Sequence, residues 1–176
     1  MRITQRDLKR WKDNSIQLAM TLGYDQTLLN SIDKNTKLTL IRGLPPEGNW
    51  YGWCMYGNQE IQVYHRNLST EPREILIAAM QSKGIPIEAI TQIMKAYDSM
   101  EKEAFFEIYN QSGMDHEIIG HLYNYLTKQD HSEKAASIVQ IDFAKVRSKT
   151  SPAWASILKI MPIVLAYHKG IDELKP

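Results

Sequence analysis

The sequence predicts an α+β protein, predominantly helical with one small three-stranded antiparallel sheet. Three observations carry this. Apolar residues recur at helical spacing before Lys37 and again beyond Ser69, which reads as amphipathic helices. Between them lies a β-branched and aromatic stretch punctuated by turn residues, the pattern of a few short strands. No Gly/Ser/Pro-rich linker divides the 176 residues, so one domain is expected: a helical segment over 1–35, a sheet over 36–67, and helices over 70–170.

Each element follows from its own pattern. Leu8, Trp11, Ile16, Leu18, Ala19 and Leu22 mark a first helix, expected to be interrupted at Asp13-Asn14-Ser15 and closed by Gly23. Leu28, Leu29 and Ile32 mark a shorter second one. Leu38–Ile41 reads as a strand, and the breakers of Gly43–Asn49 as a loop. Trp50–Tyr56 and Glu60–His65 are two further strands, joined by a hairpin turn at Gly57-Asn58-Gln59. Ser69-Thr70 and Pro72 cap a helix running to Ser82, and a longer helix spans Pro86 to Gln111. Ser112-Gly113 is expected to break or kink the chain before Asp115 starts the next helix, which reaches Leu126. Helices over Ser132–Arg147 and from Pro152 to near Gly170 complete the chain. Met80, Met94 and Met100 read as core.

Composition limits the function classes. A net charge of +1, from 21 basic and 20 acidic residues, gives no electrostatic case for nucleic acid or an anionic membrane. Lys145–Lys149 is a solvated basic face. Cys54, the single cysteine, can form neither an internal disulfide nor a Cys-based zinc site. The charged N-terminal segment lacks the apolar core of a secretory signal, and no apolar run reaches about 18 residues, so a cytoplasmic protein without a membrane span is expected.

One stretch carries chemistry. His116-Glu117-Ile118-Ile119-Gly120-His121 sets two imidazoles beside a carboxylate, like the H-E-x-x-H signature of metallopeptidases but with one residue more. In a regular helix histidines five apart diverge by about 140° and cannot share an ion. A π-type turn absorbs one extra residue, and Gly120, lacking a Cβ, tolerates the unusual backbone or the close approach that such a turn requires. A catalytic zinc takes three protein ligands. Glu133 is the expected third, because a short connection folds the start of the next helix back toward the first. Small residues one turn later, Ala136 and Ser137, allow the two helices to approach closely.

These residues resemble the gluzincin metallopeptidases, in which a Glu on a second helix completes a two-histidine site. His-Glu-Ile-Ile-Gly-His is similar to the H-E-L-L-G-H motif of the dipeptidyl-peptidase III family. Glu133-Lys134-Ala135-Ala136-Ser137 matches that family's E-x-x-A-E pattern except at its last position, where the family's Glu supports a histidine ligand and Ser137 offers a weaker hydrogen bond. The resemblance covers roughly 115–140, and the short interval to Glu133 resembles the compact minigluzincins. It implies a zincin-like active-site helix followed by a glutamate helix. It further implies one zinc per chain on His116, His121 and Glu133, with Glu117 acting on the water as general base and acid, and a peptide or protein as substrate. Gluzincins also stabilise the tetrahedral oxyanion with a Tyr or His from elsewhere; Tyr167 and His168 are the candidates, although an exposed helix end explains them equally.

Alternatives stay open. His131, two residues before Glu133, is a competing ligand, and its place beside the Asp130 turn also reads as a surface histidine. His65 on the last strand is a further candidate for the oxyanion role, and it also reads as a structural strand residue. The aromatic hairpin suits an edge along which an extended peptide aligns, or simply covers the sheet. The expected function is zinc-dependent peptide-bond hydrolysis, active or latent. The alternatives are a catalytically weak or inactive interaction module on the same scaffold, and a helical-bundle metal site of another type.

Overall fold

The computed structural model describes residues 2–42, 52–65 and 73–175, without the side chains at 65, 75 and 168. The Gly43–Asn49 loop, Trp50, Tyr51 and the Ser69–Pro72 cap lie outside the described residues. The chain divides into two compact units, Met1–Arg66 with Tyr109–Gln140, and Asn67–Ile108 with Ile141–Pro176.

The first unit opens with α1, Gln5–Thr21, started by a capping box in which the Thr4 hydroxyl accepts from the Asp7 N–H and the Asp7 carboxylate accepts from the Thr4 N–H. Asp13-Asn14-Ser15 does not interrupt this helix, because each side chain finds a partner that leaves the backbone ladder intact. Asp13 takes the Lys9 ammonium, Asn14 donates to Gln111, and the Ser15 hydroxyl lies 2.7 Å from the Asp115 carboxylate and 3.0 Å from the Trp11 carbonyl. Gly23, at φ +86°, turns the chain into α2, Gln26–Asn35, which is capped by Asp25. Leu8, Trp11, Ala19, Leu29 and Ile32 are fully buried between these helices and their neighbours.

The sheet contains β1, Lys37–Arg42, β2, Gly52–Met55, and β3, Glu60–His65, in the order β1-β3-β2. It is mixed, not antiparallel as expected: β2 pairs antiparallel with β3, but β1 lies parallel to it, Leu38 opposite Ile61 and Leu40 opposite Val63. Burial selects this order. β3 is the strand with fully enclosed Ile61 and Val63, so it takes the centre, while the half-exposed β1 and the alternating β2 take the edges. The hairpin turns through a short 3₁₀ piece, Tyr56–Asn58, and Gln59 in the left-handed region.

Two helical stretches bring the site into this unit. α5, Lys102–Asp115, continues without interruption into a π-helical segment, His116–Tyr123, and then into α6, Asn124–Leu126. The expected break at Ser112-Gly113 is absent, and Asp115 lies inside the helix instead of starting it, fully buried against Ser15 and Gln111. After a short connection α7, Glu133–Ser148, returns alongside.

The second unit holds α3, Arg73–Ser82, α4, Ile87–Ser99, α8, Pro152–Leu158, and α9, Met161–Lys169, around a core that includes Ile90, Met94, Tyr97, Met100, Ile157 and Leu165. Two expected long helices are each divided. Met100 adopts extended angles, φ −104° and ψ 143°, which end α4 and place its side chain in the core before α5 begins. Pro162 separates α8 from α9: in a continuous helix its ring would meet the carbonyl of Leu158, where α8 stops. Among the described residues no helix is long and apolar enough to cross a membrane.

Candidate metal centre

The winding of the motif decides where its histidines point. In the π-helical segment hydrogen bonds close over five residues; the Asn124 N–H, for example, reaches the Ile119 carbonyl. Residues five apart are therefore stacked, and the His116 and His121 rings lie 4.6 Å apart, nearly perpendicular, with their Nε2 atoms separated by 3.0 Å. Gly120 contributes through close approach. A Cβ there would lie 2.5 Å from the Ala136 Cα and 2.6 Å from its Cβ, so α7 runs against the motif at a distance only glycine permits. That approach sets Glu133 over the two rings, Oε2 at 3.2 Å from His116 Nε2 and Oε1 at 3.4 Å from His121 Nε2.

Hydrogen bonding fixes both tautomers. The His131 carbonyl lies 2.7 Å from His121 Nδ1, and a carbonyl can only accept, so Nδ1 carries a hydrogen and, in the neutral ring, Nε2 presents a lone pair. The Gln140 amide nitrogen donates to the Ser112 carbonyl and hydroxyl, both at 3.0 Å, which turns its oxygen toward His116 Nδ1 at 3.0 Å. His116 Nδ1 is then also the donor, and its Nε2 the second lone pair. Two imidazole lone pairs and a carboxylate converge on one point.

The arrangement attracts a cation. Burial alone lowers the pKa of His121, but the Glu133 carboxylate, the Glu117 charge and the His131 carbonyl outweigh it and hold the ring above its ordinary value. The geometry also fits a metal. Ligands about 2.05 Å from a tetrahedral zinc are about 3.3 Å from one another, and the separations here are 3.0, 3.2 and 3.4 Å. Two neutral imidazoles and a carboxylate are a donor set that zinc accepts. Among the described residues, His116, His121 and Glu133 form the one group of three or more His, Cys, Asp or Glu side chains that converges in this way. Both histidines are buried, whereas the Glu133 side chain is 45% exposed, so the site opens to solvent on the α7 side.

Glu117 is buried, its Cγ and Oε1 packed against Gly52 of β2; a Cβ at Gly52 would sit about van der Waals distance from both. Cys54, two residues along, is buried as well, and burial first and the Glu117 charge second push its thiol up to about 12. The next residue on that face, Tyr56, brings its hydroxyl to 3.2 Å from His121 Nδ1 and stacks on Tyr125 at 4.5 Å. Burial, then Cys54 and the Glu117 and Glu133 carboxylates, raise the phenol to about 12, so it keeps its proton.

The His131 side chain does not join the triad; its ring packs edge-on to Tyr56 and Tyr125, and its backbone carbonyl is what serves the site. Ser137 is buried and its hydroxyl has no hydrogen-bond partner, so it gives His116 no support. Tyr167 belongs to α9 in the second unit, with the Lys175 ammonium 5.2 Å from its ring. His168 follows it on α9, and its side chain, like that of His65 on β3, lies outside the described residues. Gln140, Ser112 and Tyr56 were missed by sequence reasoning. For Gln140 a signal existed: it lies seven residues after Glu133 and therefore on the same face of α7.

No known family, no curated protein and no solved structure matches this chain. The functional reading therefore rests on the geometry and chemistry of the site.

Proposed function

We propose that this chain is a small zinc-dependent hydrolase of peptide bonds, with His116, His121 and Glu133 holding the metal and Glu117 moving the proton. One observation carries the reading. Two imidazole Nε2 atoms lie 3.0 Å apart with a carboxylate above them, an arrangement that calls for a positive charge among the three, and a metal ion supplies it once both rings are neutral. Bound zinc supplies a Lewis acid for the scissile carbonyl and lowers the pKa of water toward about 7.

The rest is the work of this chain's residues. Glu117 follows His116 directly on a buried helical segment, and its charge acts on His121 while its carboxylate stays outside the triad. It accepts the proton of the attacking water and delivers it to the leaving amine, a role worth about 10²–10⁴ in rate. β2 is an edge strand in the described sheet, and its Gly52 face packs against Glu117. An extended peptide added along that edge lies beside the triad, held by main-chain hydrogen bonds.

Metal analysis of the purified chain combined with Glu117→Gln tests the reading. The expected outcome is one zinc per chain in both proteins and hydrolysis of a peptide library by the parent, reduced about 10²–10⁴-fold in the variant. No metal retained after zinc reconstitution, or iron retained in preference to zinc, overturns it. Zinc held without cleavage of any peptide supports instead an interaction module on a metallopeptidase-like scaffold.

A further inference from the structure

We infer that Gln140, oriented by Ser112, is the positioning residue that makes His116 a metal ligand, in place of the residue at 137. The inference rests on the metal reading proposed above and adds to it a determinant outside the motif.

The argument is one of donors and acceptors. A neutral imidazole has two tautomers, and one of them puts its hydrogen on Nε2, where it would block a metal. His121 is secured against this by the His131 carbonyl, a backbone group independent of side-chain identity. His116 has only a side chain to secure it. Gln140 Oε1 stands 3.0 Å from its Nδ1, and an amide flipped by 180° would offer a donor there instead. Ser112 prevents the flip. Its carbonyl and its hydroxyl both receive the amide NH₂, each at 3.0 Å, and the carbonyl cannot donate in return. The relay from Ser112 through Gln140 to His116 thus has one consistent set of hydrogen positions, and that set leaves Nε2 open.

Position 137 cannot serve. Its hydroxyl is fully buried and has no hydrogen-bond partner, although it lies one turn from Glu133 on α7. Gln140 lies about one further turn along the same helix and presents a neutral group to His116. With an amide at 140, the formal charges of Zn²⁺, Glu133 and Glu117 sum to zero; a carboxylate at 140 would add a negative charge and make His116 a stronger donor.

Two measurements test this, one of them free of metal. Long-range ¹H–¹⁵N correlation spectra of the zinc-free chain above neutral pH should show His116 protonated at Nδ1 alone, and Gln140→Met should convert it to a mixture of tautomers. Zinc affinity from chelator competition should fall about 10–100-fold in Gln140→Met and less in Ser112→Ala. It should fall less in Gln140→Glu than in Gln140→Met, because the carboxylate still accepts from His116 Nδ1 but cannot donate to the Ser112 carbonyl, and it should stay unchanged in Ser137→Ala. Ser112→Ala keeps the carbonyl acceptor and so covers the case in which Gln140→Met fails to fold. If the parent binds zinc and Gln140→Met binds it equally tightly, or if the His116 tautomer is indifferent to residue 140, Gln140 has no such role. A parent chain that takes up no zinc defeats the metal reading itself, while the tautomer measurement still decides the relay.

Discussion

Replacing Gly120 by alanine tests whether close approach of α7 builds the site. The added methyl would sit 2.5 Å from the Ala136 Cα and 2.6 Å from its Cβ, where unstrained carbon contacts lie at about 3.5–4.0 Å, so the two segments must separate by about 1 Å. The obstacle is backbone, so a side-chain rotation cannot relieve it. Overpacking of this kind costs about 1–3 kcal/mol. Alanine also gains about 1 kcal/mol of helix propensity over glycine. The net loss of stability is therefore small, between about 0 and 2 kcal/mol. The site responds more strongly, because Glu133 rides on α7 and ligand distances tolerate only about ±0.2 Å. Zinc affinity should fall on the order of 100-fold or more, measured by chelator competition, while the zinc-free chain melts near the parent temperature or a few degrees below it. A variant that binds zinc as tightly as the parent and melts about 2–4 °C higher, as propensity alone dictates for a chain of this size, would refute the reasoning.

Cys54 should resist iodoacetamide in the native chain and react promptly once unfolded, since its thiol is buried and stays protonated up to about 12. The sign of the pH effect follows. Below the ordinary thiol value, near 9.0, both states hold the proton and the contribution to stability is complete; as pH rises toward about 12 the unfolded chain sheds it and the folded chain does not, so stability falls. Denaturant titrations should show this decline, at most about 1.4 kcal/mol per pH unit from this group, and Cys54→Ala should flatten it; an unchanged slope counts against the assignment. Ser137→Ala removes a buried hydroxyl that has no hydrogen-bond partner and adds helix propensity, so unfolding free energy should rise by about 1 kcal/mol with zinc affinity unaltered. A loss of either would mean that the hydroxyl has a function.

The parts of this fold that depend on neighbours in sequence were legible. The Gly57–Gln59 turn, the stop at Gly23 and the start of α7 next to Ser132 follow from local rules, and the structure places them where those rules put them. The convergence of His116, His121 and Glu133 could be posed as a geometric requirement, because spacing alone shows that five residues demand a widened turn. What local rules missed was settled by distant contacts. β1 chose β3 because Ile61 and Val63, on one face of β3, are fully enclosed and that strand takes a neighbour on each edge, a fact visible only once the strands are ranked by burial. Asp13-Asn14-Ser15 resembles a helix break until Gln111 and Asp115 arrive from about a hundred residues away to take the polar groups. Gln140 reads as an ordinary helix residue until α7 meets Ser112.

The same distinction explains the widened turn itself. A π-helical segment is less favourable than an α-helix for the same residues, so nothing in Ile118, Ile119 or Gly120 commits them to it. The commitment comes from both ends and from the side. Asp115, at the start, is anchored by Ser15 and Gln111; Asn124, at the end, donates to the Asp130 carbonyl; and all eight residues between are buried, with Ala136 in contact at Gly120. Two of these restraints, Ala136 and the Asp130 turn, belong to the segment that also delivers Glu133 and the His131 carbonyl. The contacts that hold the extra residue in the helix are thus the contacts that assemble the triad, and a chain that lost the connection between α6 and α7 would lose the winding and the site together.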